Sequence, residues 1–268
     1  FKQKTAYEIR LSLVGSEMCI RDRSSVDRVD YNNDTATASP KGNLPSDASQ
    51  GGGAGNRSYG YTFSGWAPSI ATTVYRVDYA NDTAAAATKG PVSKAGNYAR
   101  SVGNANYGYT GGRGGGGVGP TDNSLMDRVD YANDTATATV VNATGMDPGA
   151  RIVAAVGNQS YGYFVSGSSD GGSTFVTTVR RLDYSNDTAA TTPKGPINNS
   201  HYSMAGTGNA NYGYVTSGGS GGSTTSRIDR IEYANDTATA SPKGPTSMSG
   251  AYKAATGSAD YGLSLIHI

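Results

Sequence analysis

Cysteine and histidine are nearly missing: the 268 residues include 1 Cys and 2 His. That is too few for a Cys/His metal centre or a disulfide framework. Neither sign of charge prevails, since 22 Lys and Arg face 21 Asp and Glu for a net +1. No long-range field therefore attracts nucleic acid or an acidic membrane surface. No apolar run approaches the ~20 residues that span a bilayer. Leu, Ile, Val and Phe together number only 37, below the roughly 20 % share expected of a globular chain. Scarce aliphatics point towards disorder, but disorder also goes with high net charge and few aromatics. This chain carries 19 Tyr and is nearly neutral.

The two ends differ from the rest. Residues 1–23 place Lys2, Lys4 and Arg10 ahead of the apolar stretch Leu11–Gly15. The stretch is too short for a secretory signal, and Glu8 and Glu17 interrupt it. Residues 1–23 resemble translated sequencing-adapter sequence, as does the tail Leu263–Ile268. Both are set aside as non-native, which leaves residues 24–262 as the expected folded unit. Cys19 and His267 go with the ends, and the balance becomes 17 basic to 18 acidic residues.

Within 24–262 a long segment recurs. DRVDYNNDTATASPKG from Asp27 returns as YRVDYANDTAAAATKG from Tyr75 and DRVDYANDTATATVVN from Asp127. It returns again as RRLDYSNDTAATTPKG from Arg180 and DRIEYANDTATASPKG from Asp229. Its tyrosines Tyr31, Tyr79, Tyr131, Tyr184 and Tyr233 are spaced 48, 52, 53 and 49 residues apart. A second landmark, a Tyr-Gly pair after Gly-Asn/Ser-x-x, falls at Tyr59, Tyr107, Tyr161, Tyr212 and Tyr261. Two landmarks in common register establish about five copies of a unit of about fifty residues. The copies begin inside one unit and stop inside another, so the native chain is expected to be longer.

Each unit reads as four short strands. In one copy they are 97–104, Tyr107–Gly112, Leu125–Ala132 and Thr135–Val141, the last entered through an Asn133-Asp134 turn. Thr, Val and Tyr favour strands, Asn and Asp favour the turns, and no 3.6-residue apolar period is sustained. The third strand alternates: Val129 and Tyr131 share one face, Arg128 and Asp130 the other, and every copy repeats this. The Arg and acidic side chains of that face are expected to satisfy each other or to pair between units. In Tyr-Gly-Tyr both rings share one face, and the glycine lets a neighbouring sheet approach.

Four strands at this period match a kelch unit. Gly111-Gly112 and Gly218-Gly219 resemble the kelch glycine pair, with Gly65 and Gly167 as partial matches. The DYANDTAT segments resemble its Tyr-Asp and Asn-Thr part, with Asp and Tyr in reversed order. The kelch Trp is replaced by Ala36, Ala84, Ala136, Ala189 and Ala238. The resemblance implies an all-β fold, a β-propeller of four-stranded antiparallel blades. An open β solenoid of the same units is the alternative.

Motifs that could carry chemistry all have a plainer reading. The N-x-T sites at Asn33, Asn81, Asn133, Asn186 and Asn235, and the further sequons at Asn56, Asn142, Asn158 and Asn198, read first as turns and only second as glycan acceptors. Ser168–Phe175 resembles the Asp-box of sialidase-like propellers, a turn-shaping element, but occurs once. Gly112–Gly119 lacks the Lys-Ser/Thr ending of a phosphate loop, leaving Arg113 at the tip of a flexible loop. His201 has no accompanying nucleophile motif. The copper-radical oxidases that contain kelch units, galactose oxidase among them, need a Tyr–Cys crosslink, and residues 24–262 hold no Cys. Trp66 occurs in one unit only, as a binding aromatic or a surface hydrophobe.

No catalytic, cofactor-binding or metal-binding residue is therefore assigned. The expectation is a non-enzymatic scaffold presenting the variable stretches 63–73, 111–125 and 165–177 to a glycan or a protein surface. Neither nucleic acid nor membrane insertion is expected. An extracellular or virion-associated adhesin is the favoured setting, by resemblance to Tyr/Asn/Gly-rich repeats of environmental microbes and their viruses. The alternatives are a structural fibre or particle component, and a glycoside-acting enzyme whose site lies in further units.

Overall fold

The computed structural model describes residues 24–265 except 31–32, 34, 68, 113–124, 143–153, 169–173, 201–202, 217, 221–222, 251–253 and 258–261. It is all-β, with four antiparallel four-stranded sheets arranged as a β-propeller. Blade 1 comprises Gly52–Gly55, Tyr59–Ala67, Ser69–Asp78 and Ala87–Lys89. Blade 2 comprises Arg100–Gly103, Tyr107–Gly111, Met126–Asp130 and Thr139–Asn142. Blade 3 is built from Ala154–Gly157, Tyr161–Ser168, Phe175–Asp183 and Thr192–Lys194. Blade 4 is built from Ala205–Gly208, Tyr212–Thr216, Ile228–Glu232 and Ser241–Lys243. Two hairpins flank them. Asp27–Arg28 with Ser39–Pro40 supplies the third and outer strands of a unit, and Ala254–Gly257 with Gly262–Leu265 supplies the inner and second strands of another. The five copies of each landmark are thus spread over four whole blades and two half-blades. Leu263–Leu265, set aside above, pair as strand backbone in the last hairpin.

The strand sequence within a blade follows from its turns. Between inner and second strands an Asn side chain closes the hairpin. Asn56 Oδ1 accepts from the backbone N–H of Ser58 (2.9 Å) and Tyr59 (3.0 Å), and Asn104, Asn158 and Asn209 repeat the arrangement. Such Asx turns take the place of a backbone turn. The third strand ends sooner than the alternation implies. Tyr131–Asn133 forms a 3-10 turn, capped by Asp130, whose carboxylate accepts from Ala132 N at 2.9 Å. The outer strand of blade 2 accordingly starts at Thr139, not at Thr135. Asp78 and Asp183 cap the same turn in their blades.

The core lies between blades. Tyr61, Phe63 and Val74 of blade 1 cluster with Val129, Tyr131 and Ala138 of blade 2. Tyrosine rings stack across each of these interfaces: Tyr61 on Tyr131 at 4.6 Å, Tyr109 on Tyr184 and Tyr163 on Tyr233 each at 4.9 Å. Each such pair contributes about 0.5–1.5 kcal/mol beyond its burial. The central glycine of Tyr-Gly-Tyr makes room for the neighbour. A Cβ on Gly108 would come within 2.7 Å of the Phe63 ring, and one on Gly162 within 2.6 Å of Val102.

Candidate functional site

The recurring charged residues tie consecutive blades together. Asp134, from the N-D-T turn of blade 2, accepts from three side chains of blade 1. These are the Tyr61 hydroxyl (2.8 Å), Arg76 Nη1 (2.7 Å) and Lys89 Nζ (3.2 Å). Asp236 of blade 4 receives Tyr163, Arg181 and Lys194 of blade 3 at 2.9, 2.8 and 3.0 Å. Asp187 of blade 3 receives Tyr109 and Arg128 of blade 2 at 2.9 and 2.7 Å. In blade 2 the position of the lysine is taken by Val141, which is buried in the apolar cluster instead. Each arginine also covers the first ring of its own Tyr-Gly-Tyr, as Arg76 does over Tyr59 at 4.3 Å. Arg76, Arg128 and Arg181 therefore pair with the next blade's N-D-T aspartate, while Asp78, Asp130 and Asp183, two positions on, cap their own turns.

Burial opposes the charge on Asp134 and Asp236. The Tyr, Lys and Arg donors outweigh it and hold both carboxyls below the usual range. The partner phenols Tyr61, Tyr109 and Tyr163 are pushed well up by burial, then by the carboxylate each donates to.

The sequons at Asn56 and Asn158 are also engaged. Their amide nitrogens donate to Ala105 O and Ala210 O of the following blade, both at 3.3 Å.

A second feature lies on the axis. Each inner strand pairs on one side only. A cavity of about 260 Å³ is lined by Gly51–Gly53, Arg100, Ser101, Ala155, Met204–Gly206, Ala254 and Ala255. Inner strands from the first blade to the last hairpin thus border one space. An open solenoid would separate its ends, so the ring replaces that alternative.

Small residues let these strands converge, since a Cβ on Gly52 would collide with the Ser101 hydroxyl. Arg100 is the one charged residue among the described lining. It stands where the other units carry Gly52, Ala154, Ala205 and Ala254. Its Nη1 donates to Ala99 O at 3.0 Å, and no described carboxylate pairs with it. Burial lowers its pKa.

The entry to the inner strands is unusual. Gln50, Tyr98 and Ser203 hold φ of 59°, 58° and 54°, each two residues before the strand. Positive φ is uncommon outside glycine, and its recurrence makes it part of the unit's design. Gln50 Oε1 accepts from the buried Asn97 amide at 2.9 Å, linking two of these entries.

The variable stretches emerge at this same end. Gly52 pairs with Phe63, Arg100 with Gly111, Ala154 with Val165 and Ala205 with Thr216. Antiparallel pairing therefore places each second-to-third connection beside the start of an inner strand. Trp66 lies here, 41 % exposed, bridged to Ser49 by Trp66 N to Ser49 O at 2.8 Å. Gly65 beside it has φ 129°, a conformation that favours glycine.

Arg113, His201 and residues 169–173 of the Asp-box stretch lie outside the described residues. Among the described residues no three His, Cys, Asp or Glu side chains converge as a metal site. Arg100 was not singled out from the sequence. Its signal is a departure from the small residues at that position in the other four units.

No family model and no curated protein matches the chain. The fold is similar to a solved structure described as the structure of YjhT, with a TM-score of 0.65 and 12 % identity. The match covers 89 % of this chain and 88 % of that one. At this identity the likeness concerns the fold alone.

Proposed function

We propose that the protein is a non-enzymatic binding scaffold whose working surface is the propeller face where the inner strands begin. One observation carries this. The polar residues common to the units are used within and between blades, whereas the described strand ends that lead into the variable stretches open on that face. Trp66 and the ends of the second strands that lead into the variable stretches lie there, beside the inner-strand starts that line the axial cavity. The ligand is a glycan or a protein surface. An exposed indole suits sugar stacking, and Gly/Ser/Asn stretches suit adaptable hydrogen bonding. An extracellular or virion-borne adhesin would use such a face.

A glycan array with the purified protein tests this. The expected result is binding that Trp66→Ala weakens at least about tenfold. Arg57→Ala, in the Asn56–Tyr59 turn at the opposite end of the blade, should leave it unchanged. A blank array, or loss through Arg57 rather than Trp66, overturns the glycan reading. Binding of a defined protein that depends on Trp66 would assign the face to a protein partner.

A further inference from the structure

We infer that the axial cavity binds a small carboxylate, free or as the acid group of a larger ligand, seated on the Arg100 guanidinium. The inference deepens the binding-face reading and rests on it. Four of the five inner strands meet the axis with Gly or Ala at this position, so the scaffold does not require an arginine there. The Arg100 side chain is half-buried at the cavity wall, and no described carboxylate supplies it with a counter-charge. Among the described residues only one of its five N–H donors has a partner, the Ala99 carbonyl. The others form a planar fork that matches a carboxylate with two parallel bonds.

The surroundings specify the ligand further. Ser101, the next lining residue, has a buried hydroxyl with no partner among the described residues. Ala155, Met204, Ala205 and Ala254 are apolar, and the described lining holds no second cation. One positive charge among the described lining, beside small side chains and backbone, suits a monoanion better than a dianionic phosphate. The volume, about 260 Å³, lies below the roughly 300–1,000 Å³ of drug-sized sites. It admits a small acid or the acidic end of a larger ligand.

The test is titration calorimetry and thermal shift on the full chain with acetate against acetamide, d-glucuronate against d-glucose, and inorganic phosphate. The acids should bind and raise the melting temperature; the neutral analogues should not, and phosphate should bind more weakly. Arg100→Met should weaken acid binding at least about tenfold, and Arg100→Lys should retain part of it. Acids that bind Arg100→Met as tightly as the parent, neutral analogues that bind equally, or no acid binding at all would each overturn the inference. Failure here with a positive, Trp66-dependent glycan array leaves the binding-face reading standing. Arg100-dependent acid binding with a blank array would instead remove the glycan reading and keep the axial site.

Discussion

The interface between blades 1 and 2 and the seam between the first hairpin and blade 1 are built from the same residue types. Tyr131 is 8 % exposed, whereas Tyr79, its counterpart at the seam, is 51 % exposed. Val129 is buried, whereas its counterpart Val77 is only half-buried. Arg76 meets Asp134 with side chains 23 % and 7 % exposed, while Arg28 meets Asp82 with 58 % and 14 %. The first hairpin offers only third and outer strands, so the second strand, which carries the stacking tyrosine elsewhere, is not part of it. Burial in this fold is conferred by the neighbouring blade rather than by the unit itself, as in other repeat architectures.

Substitutions at matched positions should separate the two interfaces, and urea unfolding measures each. Asp134→Ala leaves the half-buried Arg76 and Lys89 without their acceptor and should cost about 3 kcal/mol. Asp82→Ala, which releases the exposed Arg28 but also leaves Lys41, 13 % exposed, without its acceptor, should cost less, about 1–2 kcal/mol. Equal losses would show that the seam is sealed in solution. Tyr131→Ala should cost about 3 kcal/mol through lost packing, against about 1 kcal/mol or less for Tyr79→Ala.

The Lys-Gly glycines give a finer contrast. A Cβ on Gly90 would collide with the Ala136 carbonyl of the next blade, whereas Gly244 has nothing within 4 Å. Gly90→Ala should destabilise by about 1–3 kcal/mol and Gly244→Ala by no more than about 0.5 kcal/mol.

Alkali offers the mildest probe. Tyr61, Tyr109 and Tyr163 keep their protons in the fold to higher pH than an unfolded tyrosine. Their contribution is complete below the unfolded pKa of about 10 and is lost as pH rises towards the folded values. Absorbance titration should show these phenols ionising only with unfolding, and Tyr61→Phe should flatten part of the alkaline loss. The aspartates act in the opposite direction. The depressed carboxyls of Asp134 and Asp236 stabilise above the ordinary carboxylate pKa of about 4, and this is lost as pH falls below it.

Much of the architecture was legible in the residues. Two landmarks in step revealed the unit, period-two alternation marked the third strand, and Tyr-Gly-Tyr signalled a close neighbour. Pairing between units is one of two readings the charged face allows; what stayed hidden was which of the two holds and which aspartate is the partner. Arg76 and Asp78 sit two residues apart and invite a local ion pair, yet Arg76 reaches Asp134 and Asp78 binds Ala80 N. Nothing local reveals a partner one whole unit away. Arg100 was hidden differently. It belongs to no motif, and only the ring shows that its position faces the axis.

The cross-blade contacts also have a direction. A blade offers hydroxyl and cationic donors on one flank and an aspartate on the other, so two copies cannot meet flank to flank in the same sense. Contacts of this head-to-tail type generate a ring or a continuing helix, according to the angle each step turns through. A unit duplicated within the gene would arrive with both flanks already matched to its neighbours. The side chains thus dictate which surface follows which, while the count of units in the circle is left to geometry.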